Sequence, residues 1–251
     1  MGIMPSNFKL ASKDLALTIC FAALYAVLSF LPLNPLIGIV GKAITAATII
    51  APIIGILLEP YLSVSSTLLG GVIALAFSPF FSVPSLVAGV IAALCAGLLF
   101  ARRRLLSALL YGSLMILYGF HPFIGPVWLF PAVMWLQVTG FLILISPLQS
   151  MAIKYLHSDR STKLSYSFLV TIFTATMASQ IAGTLVFELM YWPAVWPDVA
   201  YWKYVVWPGL TFTYPVERAI ITVIASLVGV ALYKTLKSGN LLSILEKSRS
   251  S

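Results

Sequence analysis

Pro84-Ser-Leu-Val-Ala-Gly-Val-Ile-Ala-Ala-Leu-Cys-Ala-Gly-Leu-Leu-Phe100, followed by Ala101 and the triplet Arg102-Arg103-Arg104, decides how this chain is to be read. No charge interrupts the run between Pro84 and Phe100, and a helix needs about 17–25 such residues to cross the hydrocarbon of a bilayer. The arginines that end it are typical of the cytoplasmic margin of a spanning helix. Working outward, comparable stretches lie at 14–31, 36–58, 61–77, 105–120, 127–149, 164–190 and 215–236. They are divided by Pro32 and Pro35, Glu59-Pro60, Pro79, the arginine triplet, and the segment from His121-Pro122 to Pro126.

The whole composition agrees. The chain is 61% hydrophobic and 9% charged, with a mean hydropathy of +1.03, whereas soluble domains carry about 25% charged residues. The expected fold is therefore an all-α integral membrane protein, a single transmembrane domain over 1–251 with a helical bundle of six to eight segments. Two of the segments, 61–77 and 105–120, are short enough to be re-entrant. No cleavage signature follows the first segment, where Ser29-Phe30-Leu31-Pro32 stands, so it is read as a helix and not as a signal peptide.

Orientation follows from Lys and Arg near the segment ends. Counted over eight crossings, Lys9, Lys13, Arg102 to Arg104, Lys154, Arg160, Lys163, Lys234, Lys237, Lys247 and Arg249 fall on one side, against Lys42, Lys203 and Arg218 on the other. This places both ends of the chain in the cytoplasm, within a multi-pass protein of the cell membrane. It also accounts for the net charge of +8 without nucleic acid as a partner.

Ionisable groups near the spans are the main pointers to function, because charge in hydrocarbon is expensive unless it is paired or wet. Lys42, His121, Glu188, Glu217 and Arg218 all fall toward the outer side, which implies an outward pocket that binds a polar heterocyclic small molecule. The segment 191–208 holds four of the six tryptophans, with Pro193, Pro197 and Pro208. It is expected to wall or cover that pocket through Trp192, Trp196 and Trp202, since rigid aromatic faces bind flat ligands at low entropic cost. The loop 77–84, also rich in aromatics and proline, is expected as the opposite wall.

Catalytic signatures are missing from the sequence: no zinc-binding His-Glu-x-x-His, no nucleophile elbow, no aspartate cluster for magnesium and no phosphate loop. Cys20 and Cys95 lie inside separate segments and suggest neither a disulfide nor a metal site. The expectation is a binding protein without catalytic residues, metal or cofactor. Small residues at four-residue spacing (Ala22 and Ala26; Gly89, Ala93 and Gly97; Ala175, Ser179 and Gly183; Ala225 and Gly229) are expected to let helices approach closely.

Asp14 to Leu31 with its embedded Ala22 and Ala26, then Ile44 to Gly71, and finally Pro215-Val-Glu-Arg to Lys234, resemble the opening and closing helices of the substrate-binding S components of energy-coupling factor vitamin transporters. The resemblance implies capture of a vitamin-like micronutrient from outside, followed by uptake driven by a transmembrane coupling subunit and two ATPase subunits. It also implies a docking role for Ala22 and Ala26, whose spacing matches the Ala-x-x-x-Ala face of that family's first helix. The family usually has six helices against eight segments here, so either 105–149 is an insertion or the chain belongs to a different transporter or enzyme family with a similar entry helix. The competing expectation is an integral membrane enzyme or accessory protein acting on a membrane lipid headgroup, with Glu188, Glu217 and Arg218 as its polar site.

Overall fold

The computed structural model describes residues 12–121, 134–156, 158–191 and 198–242, with the backbone alone at 199, 202 and 203. Its elements run α1 Ser12–Leu28, β1 Pro32–Pro35, β2 Ala43–Thr45, α2 Ala47–Leu57, α3 Pro60–Phe77, α4 Val83–Phe100, α5 Arg104–Gly119, α6 Trp135–Ile145, α7 Pro147–Tyr155, α8 Ser161–Tyr191, α9 Val199–Tyr201, a π turn at Trp202–Val206, and α10 Trp207–Ser238. The protein is an all-α membrane protein with one small hairpin. Four stretches are long and apolar enough to cross a bilayer: α3, α4, α8 and the helical stretch Tyr204–Ser238 that contains α10. A fifth is present if α6 and α7 count as one broken span.

The expected segment 36–58 is corrected most. Its second half forms α2, an 11-residue helix, while its first half turns back on Pro32–Pro35 as an antiparallel hairpin. Two glycines explain the turn: Gly38 at φ 98° and Gly41 at φ 77° occupy the left-handed region that costs a side-chain-bearing residue strain. With both in that conformation the chain is turned back here, and helix begins only at Ala47. Ala43 N donates to the Phe80 carbonyl at 3.0 Å, and Lys42 Nζ donates to the Pro79 carbonyl at 3.0 Å, so the hairpin is tied to the loop between α3 and α4.

The segment 127–149 differs too. Residues 127–133 lie outside the described set, and α6 ends in a 62° bend to α7 at Ser146-Pro147. Pro147 has no N–H to continue the ladder, and the Ser146 hydroxyl accepts from Leu148 N at 3.2 Å to start the new helix. The carbonyls left open at the break are met from α5. Arg104 Nε donates to the Leu144 carbonyl and Nη2 to the Ser146 carbonyl, both at 2.8 Å, and Nη1 reaches Ser150 Oγ. Near this end of the bundle Lys237 pairs with Asp159 at 2.7 Å and Lys234 donates to Ser161 Oγ. At the far end α10 begins at Trp207, eight residues before the expected start, and includes Pro215 in its interior.

Packing rests on small residues. A Cβ on Gly55 of α2 would overlap the Ala93 carbonyl of α4, one on Gly70 of α3 would overlap the Ala22 carbonyl of α1, and one on Gly229 of α10 would press on the Phe168 ring of α8 at 2.9 Å. Backbones thus touch where lipid supplies no hydrophobic drive for helices to associate. Serines stitch the same seams: Ser66 Oγ donates to the Thr18 carbonyl at 3.0 Å and Ser78 Oγ to the Ser29 carbonyl at 2.8 Å.

Ala22 and Ala26 belong to the seam between α1 and α3. They are only 2% and 7% exposed, and Ala22 meets Gly70. The pair expected to dock a coupling subunit is occupied inside the protein, because its face of α1 is the one that approaches α3. Ala23, the next residue, points outward. Ala22→Leu is expected to destabilise the detergent-purified protein by about 1–3 kcal/mol through overpacking. Ala23→Leu is expected to stay within about 0.5 kcal/mol, as for other exposed changes. Thermal unfolding of the two variants distinguishes them, and equal midpoints would contradict the seam.

Candidate functional site

A cavity of about 120 Å³ lies among α2, α4, α6, α8 and α10, with the hairpin residues Leu36, Ile37 and Ile44 in its wall. An ordered water takes roughly 10–15 Å³ on this scale and about 30 Å³ as liquid, so the space suits on the order of ten waters or an organic molecule of about fifteen non-hydrogen atoms.

Helical phase selects the lining. On α8 the stripe is Gln180, Gly183, Thr184 and Phe187, and on α10 it is Trp207, Leu210, Thr211, Tyr214 and Arg218. Both follow the three- and four-residue steps that place side chains on one helical face. From α4 come Pro84, Ser85, Ala88, Gly89 and Ala92, and from α2 come Thr48 and Ala51. Phe81, from the loop expected as a wall, is 1% exposed and meets Tyr25 edge-on with ring centroids 6.0 Å apart.

Two prolines alter the backbone around this space. Pro215 removes the helical donor to the Thr211 carbonyl, and that carbonyl instead accepts from Trp135 Nε1 of α6 at 3.4 Å. Pro52 likewise removes the helical donor of the Thr48 carbonyl, beside the cavity.

The expected cluster of charges separates into distinct places. Arg218 alone among them lines the cavity. It is 8% exposed, its Nη2 lies 3.4 Å from Glu217 Oε1, and its guanidinium stands over the Tyr214 ring at 5.9 Å. Glu217 is turned toward the hairpin, where its Oε2 accepts from Asn34 Nδ2 at 2.8 Å. Glu188 is one residue past the lining position Phe187, and that step of about 100° carries it off the cavity face. It is 1% exposed and sits 3.6 Å from His121 Nδ1. Burial lowers the proton affinity of His121. Lys42 is a tether of the hairpin and does not line the cavity.

The single pocket of Glu188, Glu217, Arg218, Lys42 and His121 is thus corrected: all lie toward one end, but only Arg218 reaches the cavity. Trp192 and Trp196 lie outside the described residues, as does the side chain of Trp202. The backbone of 198–208 is largely helical and runs into α10, in place of the loop expected there. Among the described residues, the tryptophans in the wall are Trp207 and Trp135.

Polar residues that charge alone does not reveal complete the lining. Gln180, 5% exposed, has an Oε1 without a hydrogen-bond partner, and Arg218 Nε is likewise unmet. Thr176 and Thr222, one helical turn from Gln180 and Arg218, also have unmet hydroxyls. A detectable sequence signal did exist for α8, since Ser179, Gln180 and Thr184 interrupt an otherwise apolar face at helical spacing. Among the described residues no group of three or more His, Cys, Asp or Glu is placed to hold a metal ion.

The bond between Asn34 and Glu217 fastens the hairpin to α10. Asn34→Ala is expected to accelerate amide hydrogen exchange across 32–45 in nanodiscs by about tenfold or more, because a hydrogen bond to a charged group contributes roughly 1.5–3 kcal/mol. Exchange in α2 and α4 should not change. Unaltered exchange in the hairpin would show that its backbone contacts hold it without this bond. No protein-family model, curated protein sequence or solved structure matches the chain.

Proposed function

We propose that this protein is a membrane-embedded binding subunit that captures a small heterocyclic nutrient at its outer face for uptake driven by a separate energised module. The observation that carries this reading is the cavity itself. It is walled by aromatic rings, carries a few polar side chains such as Gln180, Thr184 and Arg218, and is bounded by a hairpin at the end of the bundle away from Arg104, Lys234 and Lys237. Such a mostly apolar, concave site with a few placed polar atoms is the usual form of a small-molecule site.

The basic end, with Arg102 to Arg104, Lys234 and Lys237, is assigned to the cytoplasm by the positive-inside rule. The hairpin end then faces outward, where a nutrient arrives. No sequence signature of nucleotide hydrolysis is present, so the energy for uptake is assigned to partner subunits, a coupling protein and two ATPases as the sequence resemblance implies. Their docking surface is not the buried pair Ala22 and Ala26.

Two measurements test the proposal. In a Cys20→Ser background, a cysteine at Val40, 95% exposed at the hairpin tip, is expected to react with an impermeant thiol reagent in intact cells, while one at Ser238 reacts only after permeabilisation. The reverse pattern would overturn the orientation. Denaturing the purified protein is expected to release one organic molecule in near-stoichiometric amount, as read by mass spectrometry. Adding it back at a hundred times its Kd should stabilise the fold by about 2.7 kcal/mol. Absence of any retained molecule, together with lipid-dependent turnover by the protein alone, would replace binding with headgroup chemistry.

A further inference from the structure

The cations beside the bend between α6 and α7 have no acid of their own stretch of chain to balance them. No Asp or Glu occurs between Glu59 and Asp159, and the basic residues of that stretch are Arg102, Arg103, Arg104 and Lys154. Arg104 gives its donors to the Leu144 and Ser146 carbonyls and to Ser150 Oγ, all neutral acceptors. Lys154 lies four residues after Ser150, one helical turn along the same face of α7. Arg102, Arg103 and Lys154 are exposed, and among the described residues none of the three is within ion-pairing distance of a carboxylate. Asp159, the acid that ends the stretch, is held by Lys237 at 2.7 Å.

The backbone at Arg102 sets this cluster apart from an ordinary solvated surface. Arg102 N donates to the Leu99 carbonyl at 3.1 Å and Arg103 N to the Leu98 carbonyl at 2.8 Å, which closes α4 with Arg102 at φ 60°. A left-handed residue that ends a helix in this way is usually glycine, because a Cβ is strained there. The other side-chain-bearing residue with positive φ among those described is Asn240, and asparagine tolerates that region. Arginine at 102 therefore keeps a charge where it introduces strain, and its exposed side chain gives no packing in return. Orientation in the membrane does not require it, since Arg103, at φ −89°, and Arg104 carry the same signal.

Apolar side chains border the charges. Leu105 is 73% exposed, Leu148 46% and Met151 44%. On α7, Leu148, Met151 and Lys154 follow one another at three-residue steps, on the side away from the buried Gln149 and Ala152. Cations edged by exposed apolar surface fit a molecule with an anionic head and hydrocarbon tails, whereas an acidic protein surface fits the cations alone.

We propose that α7 and the end of α4 form a binding site for one anionic phospholipid, with Arg102, Arg103 and Lys154 meeting its phosphodiester and its acyl chains lying on Leu105, Leu148 and Met151. This site is independent of the cavity's occupant and of which side the basic end faces.

Native mass spectrometry of protein released from nanodiscs of equal parts phosphatidylglycerol and phosphatidylcholine tests it. The unaltered protein is expected to retain one phosphatidylglycerol, favoured about tenfold or more over phosphatidylcholine. Each Lys or Arg removed near an anionic headgroup weakens the attraction about fivefold. Arg102→Gly removes charge and strain together, so it should retain the lipid about fivefold less while unfolding no earlier than the unaltered protein in delipidated detergent. Arg103→Gln combined with Lys154→Gln should lower retention about tenfold or more. Lys13→Gln combined with Lys234→Gln removes as much charge from α1 and α10 and should change it less than about twofold, because distant exposed charges are screened. No preference for phosphatidylglycerol, or equal losses in the two double variants, overturns the proposal. Displacement of the lipid by millimolar inorganic phosphate also overturns it, since the site would then read phosphate and not lipid. An Arg102→Gly protein that unfolds earlier yet keeps its lipid makes that side chain structural and overturns its role. Unchanged lipid retention in the Arg103 and Lys154 variant, with loss of an acidic partner protein, gives the surface to that protein instead.

Discussion

The crossing of α2 and α4 at Gly55 and Ala93 is the contact on which the rest of the bundle depends. No Cβ fits at Gly55, and Ala96 and Gly97 continue the same close approach along α4. With the two backbones in contact there, α2 can lie inside the protein, every residue from Ile50 to Leu58 being buried. The α4 helix lies between α2 and α8, which it meets beside the cavity at Ala88 through Gly183. Small residues thus close one half of the bundle. Toward the other end the facing positions are Tyr25, Phe81, Trp207 and Tyr214, whose rings keep the helices apart and leave the cavity between them. A pinched half and a propped half are two consequences of side-chain size along the same helices. A bilayer provides no hydrophobic force to collapse the propped half, because lipid tails are as apolar as the side chains themselves.

The polar groups obey the same economy. A low-dielectric interior demands a partner for each of them, and most find one on a neighbouring helix: Arg104 on the open carbonyls at the α6 and α7 bend, Asn34 on Glu217, Trp135 on the carbonyl that Pro215 releases. Those left unmet fall both on the cavity wall, at Gln180 and Arg218, and away from it, at Glu188, Glu217 and Tyr233.

Much of this architecture was legible in the sequence, and what was not has physical causes. Apolar run length located α3, α4, α5 and α8 within a few residues, because nothing inside those runs competes with a helix. It failed at 36–46, where Gly38 and Gly41 make a turn that hydropathy cannot register, and at Ser146-Pro147, where a break is concealed in continuous apolarity. Depth in a membrane does not fix direction around a helix. Neighbours in sequence separate for that reason: Phe187 lines the cavity and Glu188 does not, and Arg218 lines it while Glu217 turns to the hairpin. The spacing of Ala22 and Ala26 marked a close approach, and only the fold shows that α3 is the surface approached.

The central claim is that a small molecule occupies the space between α4, α8 and α10, and native mass spectrometry of cavity-filling variants tests it most directly. Thr184 lines the cavity, whereas Leu227 on α10 is 67% exposed on the outer surface of the bundle. The protein released from detergent should carry one added mass on the order of 200 Da, the size set by the cavity. Leu227→Trp should keep that mass and Thr184→Trp should lose it while remaining folded. Retention of the same mass by both variants, or its absence from the unaltered protein, would contradict the account.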